Sequence, residues 1–272
     1  HKSSRGLGDV YKRQVLASFK RNDQLSSESG LKYFVLSALS SGLLLYGCSL
    51  IYGFSGSTNF DQISNNISEV QYGLTLGIVF ILIGLAFKIS AVPFHMWAPD
   101  VYQGSPTSVT IFFAILPKIA ALSVFIRFLY VPFINLIDQW QTIIIFVSIA
   151  SMVFGAVAAI GQKNLKRLMA YSSISHMGFA LAGLAVGTNE GIQSSLIYIS
   201  IYLLMNLAFF SCLFMLKRND IYYEDLSDLS GLSKNHPILA LCLLISLFSL
   251  AGIPPLAGFF AKFYIFLAVI KE

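Results

Sequence analysis

Long apolar runs separated by short polar stretches dominate the chain from residue 33 onward. Seven such runs lie roughly at 33 to 54, 72 to 92, 108 to 130, 140 to 160, 168 to 187, 191 to 216 and 237 to 270. A bilayer core takes about 20 apolar residues per helix, because every backbone polar group in hydrocarbon needs a partner inside its own segment. The alternating ten-residue segments of a β-barrel are absent. The pattern predicts an all-α, polytopic membrane protein with about seven transmembrane helices.

Two of the runs are interrupted in comparable places. Residues 87 to 99 read FKISAVPFHMWAP, and residues 250 to 262 read LAGIPPLAGFFAK. Proline removes a backbone donor and clashes with the preceding turn, so each helix should kink or split and leave backbone polar groups facing a cavity. Matching broken helices mark the internal repeats of transporters. The two lie five spans apart, which suggests a five-helix repeat held here only in part.

Composition agrees. The chain is 56% hydrophobic and 11% charged, with a mean hydropathy of +0.72, whereas soluble domains carry about 25% charged residues. A soluble domain is excluded. The 23 Phe and 13 Tyr residues exclude disorder. Cys48, Cys212 and Cys242 sit on different apolar runs without paired spacing, which supports neither a metal site nor a disulfide. No glycine-rich loop follows a strand, so no nucleotide cofactor is indicated.

Charge sets the topology. Lys20, Arg21 and Lys32 precede the first span, Lys163, Lys166 and Arg167 the fifth, and Lys217, Arg218 and Lys234 the seventh. The loops on the other side carry Asp61, Glu69, Asp138 and Glu190 and no Lys or Arg. Basic loops stay in the cytoplasm, and the net charge of +5 reads as this signal rather than as a nucleic-acid surface. Residues 1 to 14 are expected to be a stray polar tail, 15 to 32 a cytoplasmic loop, and 33 to 272 the membrane domain. The last span is expected to be cut near its end.

The informative residues are the charges inside the apolar runs. Lys88, Lys118 and Lys262 each cost roughly 2.5 to 3.5 kcal/mol on insertion scales. Snorkelling to an interface explains Arg127, at the end of its span, but suits Lys88 and Lys118 poorly. Lys118 lies ten or more residues from either span end. A lysine can carry protons where burial disfavours its charge and a nearby carboxylate favours it. None of the spans contains a central Asp or Glu. A carboxylate partner must lie in a segment outside this chain or in another subunit; otherwise the lysines exchange protons through water and histidine. His95, just past the first break, suits a water-side relay or an interfacial anchor. His176, among serines in the fifth span, suits a relay or a packing histidine, and His236 reads as interfacial.

Four strings are specific enough to carry a resemblance: FKISAVPFHMWAPDVYQGSPT, ILPKIAALSVFIRF, GQKNLKRLMAYSSISHMGFALAG and SLFSLAGIPPLAGFFAKFYIF. In this order they resemble the subunit N family of bacterial NADH-quinone oxidoreductase, respiratory complex I, across residues 15 to 272. The resemblance implies a fourteen-helix fold with inverted five-helix repeats, of which this chain would hold the sixth to twelfth helices. It implies that Lys88 is the lysine of the first broken helix, Lys118 the central connecting lysine and Lys262 the lysine of the second broken helix. His95, Lys166 and His176 match further polar positions, while the family's essential glutamate would precede this chain's native-looking start.

The resulting expectation is a proton-translocating subunit in the bacterial inner membrane, or an organellar energy-transducing one. Its partners would be the other membrane subunits and the lipid bilayer, with no nucleic acid. NADH, FMN, iron-sulfur clusters and quinone would belong to partner subunits. Two alternatives are a cation/proton antiporter subunit and a structural scaffold whose lysines are relics.

Overall fold

A computed structural model describes residues 12–20, 23–66, 72–218 and 221–271. Residues 1–11 of the expected tail, and Arg21, Glu69 and Glu272, lie outside the described residues. Nine principal helices follow in order: α1 (Gln24–Ser55), α2 (Tyr72–Ile89), α3 (Trp97–Gly104), α4 (Thr107–Tyr130), α5 (Ile137–Ile160), α6 (Leu165–Ala185), α7 (Asn189–Met215), α8 (Pro237–Ala251) and α9 (Ala257–Ile270). Six are long and apolar enough to cross a membrane: α1, α2, α4, α5, α6 and α7. The seventh expected span is instead the short pair α8 and α9, because the prolines between them end the first half.

Local chemistry sets the boundaries. α1 begins at Gln24, nine residues before its apolar run, because the Asp23 side chain accepts from Leu25 N and caps a polar first turn. Asn164 does the same for α6, accepting from Lys166 N and Arg167 N, and Thr188 caps α7 by accepting from Gly191 N. Pro237 opens α8 in the first position, where its missing N–H costs nothing. Between α7 and α8 a small hairpin pairs Lys217–Arg218 with Ile221–Tyr222 antiparallel, Lys217 opposite Tyr222.

α6 occupies the centre. It packs on α5, α7 and α3, and α7 in turn carries α4, α8 and α9. Of its span, 67% is buried inside the protein, against 22% for α1, so α6 can hold polar side chains that a lipid-facing helix cannot. Its contact with α5 is close at Gly155, where a side chain would meet Ser175 N at 2.6 Å. Small residues permit this approach where no water drives helices together.

The ends of the bundle differ in charge as the loops predict. At one end Lys32, Arg167, Lys166 and Lys20 meet Asp100 and Glu224. At the other, Asp138 and Glu190 lie in the first turns of α5 and α7, where the helix dipole favours an anion. Lys271 joins Glu190 there at 2.7 Å.

Candidate polar pathway in the helix core

Lys118 sits midway along α4 and is fully buried. Its ammonium donates to Ser173 Oγ of α6. Ser173 Oγ lies 2.7 Å from the Tyr202 hydroxyl of α7, which reaches back to the Ala114 carbonyl one turn before Lys118 at 3.4 Å. Three helices thus close a small polar ring around one ammonium. The Tyr102 ring of α3 lies over the same group, with its centroid 5.7 Å from Lys118 Nζ, within the range of a cation–π contact.

One turn past Ser173, His176 Nδ1 lies 2.5 Å from the Tyr198 hydroxyl. Its ring is 5.4 Å from that of Tyr202. Lys262 of α9 is half-buried; its Nζ donates to the Ala251 carbonyl at 2.9 Å and lies 5.1 Å from the Phe179 ring centroid. His176 and Lys262 share a cavity of about 380 Å³ with Ser172, Ser175, Leu250 and Ala251. The order from inside outward is Lys118, Ser173 with Tyr202, His176 with Tyr198, then the cavity and Lys262.

Lys88 and His95 stand apart from this set. Lys88 occupies the last turn of α2, half-buried, with Nζ 5.7 Å from the Phe87 ring centroid. α2 packs on α4, so the helices of Lys88 and Lys118 are neighbours. His95 lies in the break and packs on Phe154 of α5, ring centroids 4.4 Å apart. His236 is exposed at the start of α8, and Arg127 is exposed in the last turn of α4.

Lys166 differs from its reading as a loop charge. It is fully buried in the first turn of α6, paired with Glu224 at 2.5 Å and donating to the Ser105 carbonyl at 3.0 Å. Glu224 reaches it because its loop docks on the α6 N-terminus, with Leu165 N donating to the Glu224 carbonyl at 2.7 Å and Leu226 N to the Lys163 carbonyl at 2.9 Å. Among the described residues, no cluster of three His, Cys, Asp or Glu side chains is placed to hold a metal ion.

The chain matches the family described as NADH:quinone oxidoreductase/Mrp antiporter, transmembrane, over residues 13–272. It belongs to that family. Among NADH:quinone oxidoreductase/Mrp antiporter members, NADH-quinone oxidoreductase subunit N of Pelagibacter ubique is 79% identical over 258 residues, 95% of this chain and 55% of that protein. The subunit N of Parvibaculum lavamentivorans is 57% identical over 259 residues, 94% and 54% of the two chains. The chain spans about half the length of these relatives.

The fold is likewise shared. A chain of respiratory complex I from Thermus thermophilus superposes with a TM-score of 0.82 at 33% identity, covering 98% of this chain and 57% of that one. A chain of the Mrp complex from Dietzia sp. DQ12-45-1b gives 0.87 at 26% identity, covering 97% and 49%. The arrangement of the helices is therefore a family architecture.

Sequence reasoning missed Ser173, Tyr198 and Tyr202 as partners of the charged groups. A signal was present: Ser195, Tyr198, Tyr202 and Asn206 recur on one face of an otherwise apolar α7. All four are buried.

Proposed function

We propose that the protein is part of a proton-translocating subunit N of a bacterial NADH-quinone oxidoreductase, set in the inner membrane among the complex's other membrane subunits. Quinone reduction in those other subunits drives it, and NADH, FMN, iron-sulfur clusters and quinone are theirs. The observation that carries the reading is the fully buried Lys118 ammonium, bonded to Ser173, which meets the Tyr202 hydroxyl and lies one turn before His176 on α6. An ammonium enclosed this way is costly to keep unless it does something. The 79% identity to a subunit N supports the same conclusion.

In this reading Lys88 switches one half channel, Lys118 is the middle relay and Lys262 gates the periplasmic side. His95 and His176 assist through water. The bonding suits proton exchange: Lys118 and Lys262 donate to a hydroxyl and a backbone carbonyl, neutral groups that do not pin the charge as a carboxylate would. The Ser173 and Tyr202 hydroxyls can each donate and accept, so a proton leaving Lys118 has hydroxyl acceptors as far as Tyr202, whose ring lies 5.4 Å from that of His176. The cluster with Lys166 and Arg167 lies on the cytoplasmic face, and residues 33–272 form the antiporter-like domain.

Lys118→Ala in the full-length subunit, assembled in its complex in membrane vesicles, tests this. Protons moved per NADH oxidised should fall about tenfold or more, since the middle of the relay is gone; an unchanged ratio overturns the proposal. The Mrp superposition, at a TM-score of 0.87, favours a second reading as a cation/proton antiporter subunit. Sodium-dependent proton exchange without NADH would support it.

A further inference from the structure

One carboxylate on the cytoplasmic face ties α3 and α6, two of the helices around Lys118, to each other and to α1. Asp100 lies in α3, the eight-residue helix that follows the first break. Its Oδ2 accepts from Lys32 of α1 at 2.6 Å, and its Oδ1 accepts from Arg167 Nη1 of α6 at 2.7 Å. Arg167 also donates to Gln103 Oε1 at 3.1 Å. A second, independent contact presses α3 onto α1: at Gly104 an added side chain would meet the Leu25 carbonyl at 2.3 Å. The start of α3 is fixed as well, since Trp97 Nε1 donates to the Phe87 carbonyl at 2.9 Å.

Two residues past Asp100 stands Tyr102. That spacing turns about 200° around a helix, so the two side chains take opposite faces. Asp100 faces the charged rim; Tyr102 is fully buried and presents its ring to the Lys118 ammonium at 5.7 Å. A slide or roll of α3 would change what covers Lys118, and the Asp100 bridges oppose such movement. Trp97 joins the two ends, packing on both Phe87, next to Lys88, and Tyr102.

We infer that Asp100 is a positioning residue for proton carriage at Lys118, acting through α3 by holding the Tyr102 ring over the ammonium. The inference rests on the proposed role of Lys118. Nothing about Asp100 itself is chemical: it touches no proton carrier, and its effect must pass through Tyr102.

The test uses the full-length subunit in its assembled complex, reading protons moved per NADH oxidised in vesicles. Asp100→Asn should lower the ratio about two- to fivefold, the range that loss of two part-exposed ion pairs supports. Asp100→Glu should restore most of it, and NADH oxidation by the detergent-solubilised complex should stay at the unsubstituted level. Tyr102→Leu should lower the ratio similarly, with the double variant Asp100→Asn, Tyr102→Leu no lower than Tyr102→Leu alone. Additive losses, or an unchanged ratio in Asp100→Asn, overturn the inference. If Asp100→Asn does not assemble, Lys32→Gln and Arg167→Gln replace it: smaller losses that vanish beside Tyr102→Leu support the inference, and unchanged ratios overturn it. Lys118→Ala runs in parallel. A normal ratio there removes the underlying reading, whereas a collapsed ratio beside a normal Asp100→Asn removes only the role of Asp100.

Discussion

The two broken helices solve one physical problem in different ways. Each break frees backbone groups that hydrocarbon cannot satisfy. At the first, between α2 and α3, Ser90 takes a left-handed φ of 59° and Ala91 N donates back to the Ala86 carbonyl at 2.9 Å. Val92 N donates to Ser151 Oγ of α5 at 2.8 Å, and the Phe87 carbonyl is met by Trp97 Nε1. Each of these donors is permanent. At the second break, Gly252 takes φ 86° and caps α8, while the Ala251 carbonyl is met by Lys262 Nζ from one turn inside α9. There a titratable group closes the gap. A change of charge on Lys262 therefore changes backbone bonding at the second break directly, whereas the Phe87 carbonyl next to Lys88 is already held by an indole N–H.

The contrast can be broken from either side, first by steric means. α8 and α9 meet at Gly258, where an added side chain would fall 1.7 Å from the Ser249 carbonyl. That atom is backbone and cannot swing away, so Gly258→Ala should destabilise the junction by about 3 kcal/mol, the upper range of overpacking. Thermal inactivation of the solubilised complex would report it, and an unchanged midpoint would contradict the close approach.

Ser151→Ala should cost about 2 kcal/mol, because the Val92 N–H in the break loses its acceptor. Its pumping ratio should stay normal, as the lost bond does not titrate. Gly252→Ala should cost the least, about 1 kcal/mol for a left-handed residue with a side chain. The added carbon would sit 3.0 Å from Lys262 Cδ, so this variant should also lower the pumping ratio. A normal ratio there would separate Lys262 from its backbone partner.

Much of this was legible in the chain. The spans follow from apolar run length, and both breaks from Pro93 and from Pro254 and Pro255, because a missing N–H acts locally. The depth of Lys118 followed from counting residues to either end of its span. What surrounds it did not: Ser173 and Tyr202 are 55 and 84 positions away in sequence, and only the packing of α4, α6 and α7 brings them together. Glu224 was invisible as a partner of Lys166 for the same reason, since a docked loop carries no periodicity. α1 began earlier than its apolar run because a cap at Asp23 extends a helix beyond hydrocarbon. Lys88 and Lys118, both singled out by insertion cost, prove to be differently enclosed, a distinction that composition cannot make.

The most direct measurement sets the two breaks side by side in the full-length subunit. Protons moved per NADH oxidised would be recorded for Lys262→Ala and Ser151→Ala in vesicles from the same preparation. The ratio should fall about tenfold in the first, where a relay group is lost, and stay unchanged in the second. Equal ratios in the two variants would contradict the account.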